Sequence, residues 1–122
     1  MRRALALAVA LAACGKEAPP APSSRDALIK AWKQAGLATG EFKATQSPIG
    51  KDCQAGTVAK LDVVVCSFAS PDEAKAAQNL GLQWVGDTTG AAQAHGALVI
   101  AIADRHKADP SGKTINQILQ AH

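Results

Sequence analysis

The sequence predicts an α+β domain, an antiparallel sheet with helices packed mainly on one face. Three observations carry this reading. The stretch from residue 24 to residue 122 is about one hundred residues, enough for one small core but not for two domains. Its apolar and turn patterns run in the order α-β-β-β-α-β-β-α, in which hairpins dominate over alternating βα units. Residues 97–103 are apolar at every position, which implies a strand covered on both faces. A ferredoxin-like split arrangement is the alternative.

In "SRDALIKAWKQAGL" the apolar residues Leu28, Ala31, Trp32 and Ala35 recur at helical spacing, with Ser24 as N-cap and Gly36 as stop. Trp32 is expected to pack this helix on the sheet. "GEFKAT" reads as a short strand, followed by a loop through Ser47, Pro48, Ile49 and Gly50. "DCQAGTVA" and "LDVVVCSF" read as two strands of a hairpin turning at Ala59-Lys60, the second with the β-branched composition of a central strand.

The clearest local signal is "SPDEAKAAQNLG". Ser70 caps, Pro71 takes the first helical position, and Glu73 stands three residues after the cap to complete a capping box. Ala74, Ala77 and Leu80 are expected to face the core. "GLQWVGDTTG" reads equally as a helix end or a loop, with Trp84 closing one end of the core. "AAQAHGALVIAIAD" reads as two strands turning at His95-Gly96, and a last helix is expected from about Pro110, capped by Asp109, with Ile115, Ile118 and Leu119 on one stripe.

The chain opens "MRRALALAVALAAC", a basic pair at Arg2 and Arg3 followed by an unbroken apolar run over residues 4–13. That is the anatomy of a secretory signal peptide. Ten residues span roughly 15 Å as a helix, about half a bilayer core, so the run is too short for a transmembrane anchor. Leu11-Ala12-Ala13-Cys14 resembles the lipobox of bacterial lipoproteins. The resemblance covers the first fourteen residues only. It implies that residues 1–13 are removed and that Cys14 is acylated, anchoring the protein to a membrane of the bacterial cell envelope. Gly15 after the cysteine, by resemblance to enterobacterial sorting, implies the outer membrane facing the periplasm. Residues 14–23, "CGKEAPPAPS", then form the lipidated cysteine and a Pro/Ala-rich tether reaching roughly 30 Å, and the globular domain runs over 24–122.

Assigning Cys14 to lipid leaves Cys53 and Cys66, an even pair suited to an oxidising compartment. In a hairpin turning at Ala59-Lys60, opposite residues sum to 119, and so do 53 and 66. A bridge between them is therefore expected; two buried free thiols are the competing reading.

Charge excludes one class of partner. The chain carries 13 Lys and Arg against 10 Asp and Glu, and without Arg2 and Arg3 the balance is 11 against 10. Such a balance offers no electrostatic footprint for nucleic acid. "DPSGKT" at 109–114 has the Gly112-Lys113-Thr114 of a nucleotide-binding loop, but Lys107 stands where the first glycine is required. His95, His106 and His122 have no partner at metal-ligand or triad spacing, and each is expected to be solvated. No cofactor, metal or catalytic constellation is read, so the expectation is a lipid-anchored binding module for an envelope protein or small ligand, not an enzyme. A small envelope hydrolase or inhibitor-like effector is the alternative. The candidate binding loop joins the apolar strand to the last helix and carries Asp104, Arg105, His106 and Lys107. Alanine at 105, 106 and 107 together is expected to leave folding nearly unchanged.

Overall fold

The computed structural model describes residues 24–121. Residues 1–23, where the expected signal peptide, the expected lipidation of Cys14 and the expected tether fall, lie outside the described residues, as does His122. The elements are α1 (Arg25–Gln34), β1 (Lys43–Ser47), β2 (Gly50–Val58), β3 (Leu61–Ser67), α2 (Pro71–Val85), β4 (Thr89–His95), β5 (Leu98–Asp104) and α3 (Lys113–Gln120). The order is α-β-β-β-α-β-β-α, as the sequence predicts. The strands form one sheet in the order β1-β2-β3-β5-β4, with every neighbouring pair antiparallel.

Because β5 is antiparallel to both β3 and β4, those two strands run parallel, and β3-α2-β4 is a split unit with β5 inserted between its strands. A ferredoxin-like domain needs two such units. Here β1, β2 and β3 are joined by successive hairpins, so the ferredoxin-like alternative is not realised.

Alternation along β3 and β5 divides the core in two. Val63, Val65, Leu98, Ile100 and Ile102 face α1 and α3, meeting Leu28, Trp32, Ile115 and Ile118. Val64, Cys66, Val99, Ala101 and Ala103 face α2, meeting Ala74, Ala77 and Val85. Two helices thus share one face, the majority expected there, and the third covers the other. All seven residues of β5 are buried, as a strand apolar on both faces requires. Trp32 is fully buried, donates its Nε1–H to the Ile118 carbonyl at 2.9 Å, and lies 5.8 Å from the Phe42 ring. It thereby ties α1 to α3 as well as to the sheet.

The α2 face uses small residues for a reason. A Cβ at Gly81 would stand 2.8 Å from the Ala92 Cβ and 3.3 Å from Val99 Cγ1, so the helix approaches the sheet more closely there than any side chain permits. This corrects the expected stripe. It runs Ala74, Ala77, Gly81, Val85, while Leu80 is 37% exposed. Ser70 caps α2, its Oγ accepting from Glu73 N at 3.2 Å, and the helix continues through Trp84 to Val85.

The turns that join β2 to β3 and β4 to β5 are each two residues long. The first is Ala59-Lys60, and both residues have positive φ, 51° and 71°, the type I′ pattern. The second is Gly96-Ala97, one residue later than expected, since His95 pairs with Leu98. Only its first residue has positive φ, 59°, which is the type II′ pattern that places glycine first. The shift puts His95 in the strand, where it is buried and not solvated. The register set by Ala59-Lys60 places Cys53 opposite Cys66, and the two are disulfide-bonded with Cα atoms 4.0 Å apart.

Candidate functional site

The connection after β5 is held by two buried carboxylates. Asp104, at the strand end, is 5% exposed; its Oδ1 accepts from Ala108 N at 2.7 Å and its Oδ2 from Asp109 N at 2.8 Å. Asp109 is equally buried, and its Oδ2 accepts from Ile115 N at 2.9 Å while the Ser111 hydroxyl donates to Oδ1 at 3.5 Å. The last helix starts at Lys113, later than expected, with Gly112 at the N-cap offering no side chain. Asp109 supplies the missing acceptor from across the preceding turn. Burial works to raise its pKa, but the backbone N–H groups of Ile115, Thr114 and Lys113 and the Ser111 hydroxyl outweigh this and hold the carboxyl below its ordinary value.

This arrangement occupies five amides between residues 108 and 115. Ala108 and Asp109 donate to Asp104, Gly112 to the Asp109 carbonyl, Lys113 to Ser111, and Ile115 to Asp109. Gly112-Lys113-Thr114 is therefore the start of a helix whose N–H groups already have partners, and not a phosphate cradle.

The four residues of the predicted binding loop have different roles. Asp104 is a structural acceptor. Arg105 turns back onto α2: its guanidinium carbon stands 4.5 Å from the Trp84 ring centroid, and its Nη2 donates to the Trp84 carbonyl at 2.9 Å. Its other nitrogen is 3.9 Å from Asp62 of β3. Arg105 thus joins the loop to α2 and β3, contacts that a fully solvated loop side chain would not make. Lys107 is exposed with φ 55°. It shares a hollow of about 400 Å³ with Asp87, Thr88 and Pro110.

His106 opens on a different feature, a groove of about 860 Å³ formed where three segments distant in sequence meet. The α1–β1 connection contributes Ala38, Thr39 and Gly40, the β2–β3 hairpin contributes Thr57 and Lys60, and the loop after β5 contributes His106 and Ala108. The segments are tied by backbone bonds, Gly40 N to Thr57 O at 2.8 Å and Ala59 N to Ala38 O at 2.7 Å. Its size is in the range that accepts small ligands. The Lys60 ammonium, the His106 imidazole and two threonine hydroxyls line it, with no carboxylate among the lining residues. The sequence reading finds His106 and misses Thr39, Thr57 and Lys60. The available signal is the turn itself, because Ala59-Lys60 occupies positions that favour Asn and Gly.

Among the described residues, no three His, Cys, Asp or Glu side chains stand together to hold a metal ion, and no helix is long and apolar enough to cross a membrane. Compared with family models, curated proteins and solved structures, the chain matches none of them.

Proposed function

We propose that the protein is a lipid-anchored lipoprotein of the bacterial cell envelope whose exported domain is a binding module. The observation that carries the reading is Leu11-Ala12-Ala13-Cys14 behind a basic pair and an apolar run too short to span a bilayer. The Cys53–Cys66 bridge supports an oxidising compartment. Several acyl chains on Cys14 would hold the domain permanently at the membrane, where one chain alone binds only marginally. The outer membrane, with the domain facing the periplasm, is the site that Gly15 favours. The groove bounded by Lys60 and His106 supports binding of a small ligand better than the predicted loop does, since the carboxylates and the arginine of that loop are engaged in holding the fold. Expression of the full chain with labelled palmitate tests the anchor. Label should enter the native protein, which should partition into detergent; a Cys14→Ala variant that labels equally would end the lipoprotein reading.

A further inference from the structure

Among the described residues, three other than glycine hold a left-handed backbone: Ala59, Lys60 and Lys107. Lys60 is the most informative. It takes the second central position of a two-residue hairpin turn at φ 71°, where glycine is strongly preferred because a side chain crowds the backbone. Local rules of this kind are broken where the side chain serves something else, and strain of this kind clusters at binding sites. The Lys60 side chain lines the groove described above. His106, which lines the same groove, comes from a loop whose course is set by the buried Asp104 and Asp109 and by the Arg105 clamp.

The remaining chemistry of the groove is one-sided. The Thr57 hydroxyl stands on an exposed residue of its wall, the Thr39 hydroxyl is already donated to the Leu37 carbonyl at 2.9 Å, and no carboxylate lines the space. The donors offered to a ligand are therefore single groups on two segments, an ammonium and a hydroxyl on the β2–β3 hairpin and an imidazole N–H on the loop after β5. A planar carboxylate is matched by the parallel fork of an arginine. Separate point donors on two segments suit a tetrahedral anion, with Lys60 acting as a point charge.

We propose that this groove binds a phosphate group between Lys60 of the β2–β3 hairpin and His106 of the loop after β5, with Thr57 as a further donor. The phosphate is that of a soluble phosphate ester or of a phospholipid headgroup. This rests on the reading of the domain as a binding module and is independent of whether Cys14 carries lipid, so the palmitate experiment can fail while this one succeeds.

The test is a titration of the isotopically labelled full chain in neutral detergent with sodium pyrophosphate, and separately with nanodiscs of phosphatidylglycerol against phosphatidylcholine. Saturating chemical-shift changes confined to residues 38–40, 57–60 and 106–108 are expected. A response to pyrophosphate assigns a soluble phosphate ester, and one to phosphatidylglycerol nanodiscs alone assigns a lipid headgroup. Lys60→Gly should bind roughly tenfold more weakly or worse, the effect of losing one charge-assisted hydrogen bond. Its melting temperature should rise, because glycine fits the turn, so the lost affinity cannot be ascribed to unfolding. His106→Gln should weaken binding with no change in melting temperature. The absence of saturating shifts with either probe, or equal affinity in Lys60→Gly, would overturn the proposal.

Discussion

Arg105 supplies to Trp84 what α2 does not supply to itself. The last turn of that helix contains no basic residue, and its carbonyls carry the negative end of the helix dipole. A cation from the loop after β5 lies over the Trp84 ring at 4.5 Å and donates to the Trp84 carbonyl at 2.9 Å. The helix end, the loop and β3 are thereby joined at one side chain.

Arg105→Ala should therefore destabilise the domain. A partly exposed cation–π contact contributes about 0.5–1 kcal/mol and a cation at a helix C-terminus about 0.3–1 kcal/mol. The 3.9 Å approach to Asp62 adds little in solvent. We expect a loss of about 1–2 kcal/mol in urea unfolding, the sum of those two contributions. Arg105→Lys should recover the helix-end share but not all of the contact with the ring, because an ammonium keeps the charge and lacks the planar face that stacks on the indole. Unchanged stability in the alanine variant would return Arg105 to the set of solvated loop residues.

Reducing the Cys53–Cys66 bridge should cost more. The two cysteines are 13 positions apart, and closing a ring of that size constrains the unfolded chain by about 3 kcal/mol. The double variant Cys53→Ala, Cys66→Ala should show a loss of this order, with the anion response of the groove intact, since neither cysteine lines it. Alkylation without prior reduction should modify neither thiol.

That bridge was legible because hairpin register is arithmetic: once Ala59-Lys60 is the turn, every pair in β2 and β3 follows. The Ser70-Pro71 start of α2 was legible because capping is local. The groove was not, because its walls come from residues 38–40, 57–60 and 106–108, and ordinary Thr and Lys residues carry no spacing signature. The roles of Asp104 and Arg105 were hidden for a similar reason. A charged loop reads the same whether its side chains face solvent or turn inward to hold backbone N–H groups and a helix end. Leu80 misled because helical spacing places both 80 and 81 near the core side, and only packing distance decides that glycine takes the contact.

Gly81→Ala tests that packing distance, since two effects oppose each other. Alanine favours the helix by about 0.8–1 kcal/mol. Its Cβ would also stand 2.8 Å from that of Ala92, forcing α2 away from β4 and β5, and overpacking of this kind costs about 1–3 kcal/mol. The clash should prevail and the variant should melt lower. A higher melting temperature would mean that α2 rides farther from the sheet.

Asp109 gives the domain a defined acid limb. Its carboxyl is held below the ordinary 3.8 because, against the opposing effect of burial, it accepts from the N–H groups that open α3 and from Ser111. Near and below 3.8 the unfolded chain binds this proton more readily than the folded one, so stability rises with pH there. The contribution is fully present above 3.8 and is lost as pH falls through the lower folded value. Asp109→Ala, which removes the acceptor, should cost about 1–2 kcal/mol at neutral pH, the range for a lost helix cap. Asp109→Asn keeps one acceptor oxygen without the titrating proton, so it should lose less at neutral pH and fall less steeply than the native protein on acidification. Urea midpoints from about pH 7 down to about 2.5 distinguish the two. If the native chain and the Asp109→Asn variant decline in parallel across that range, the charge on Asp109 contributes nothing to holding the start of α3, and the helix is fixed by Ile115 and Ile118 in the core alone.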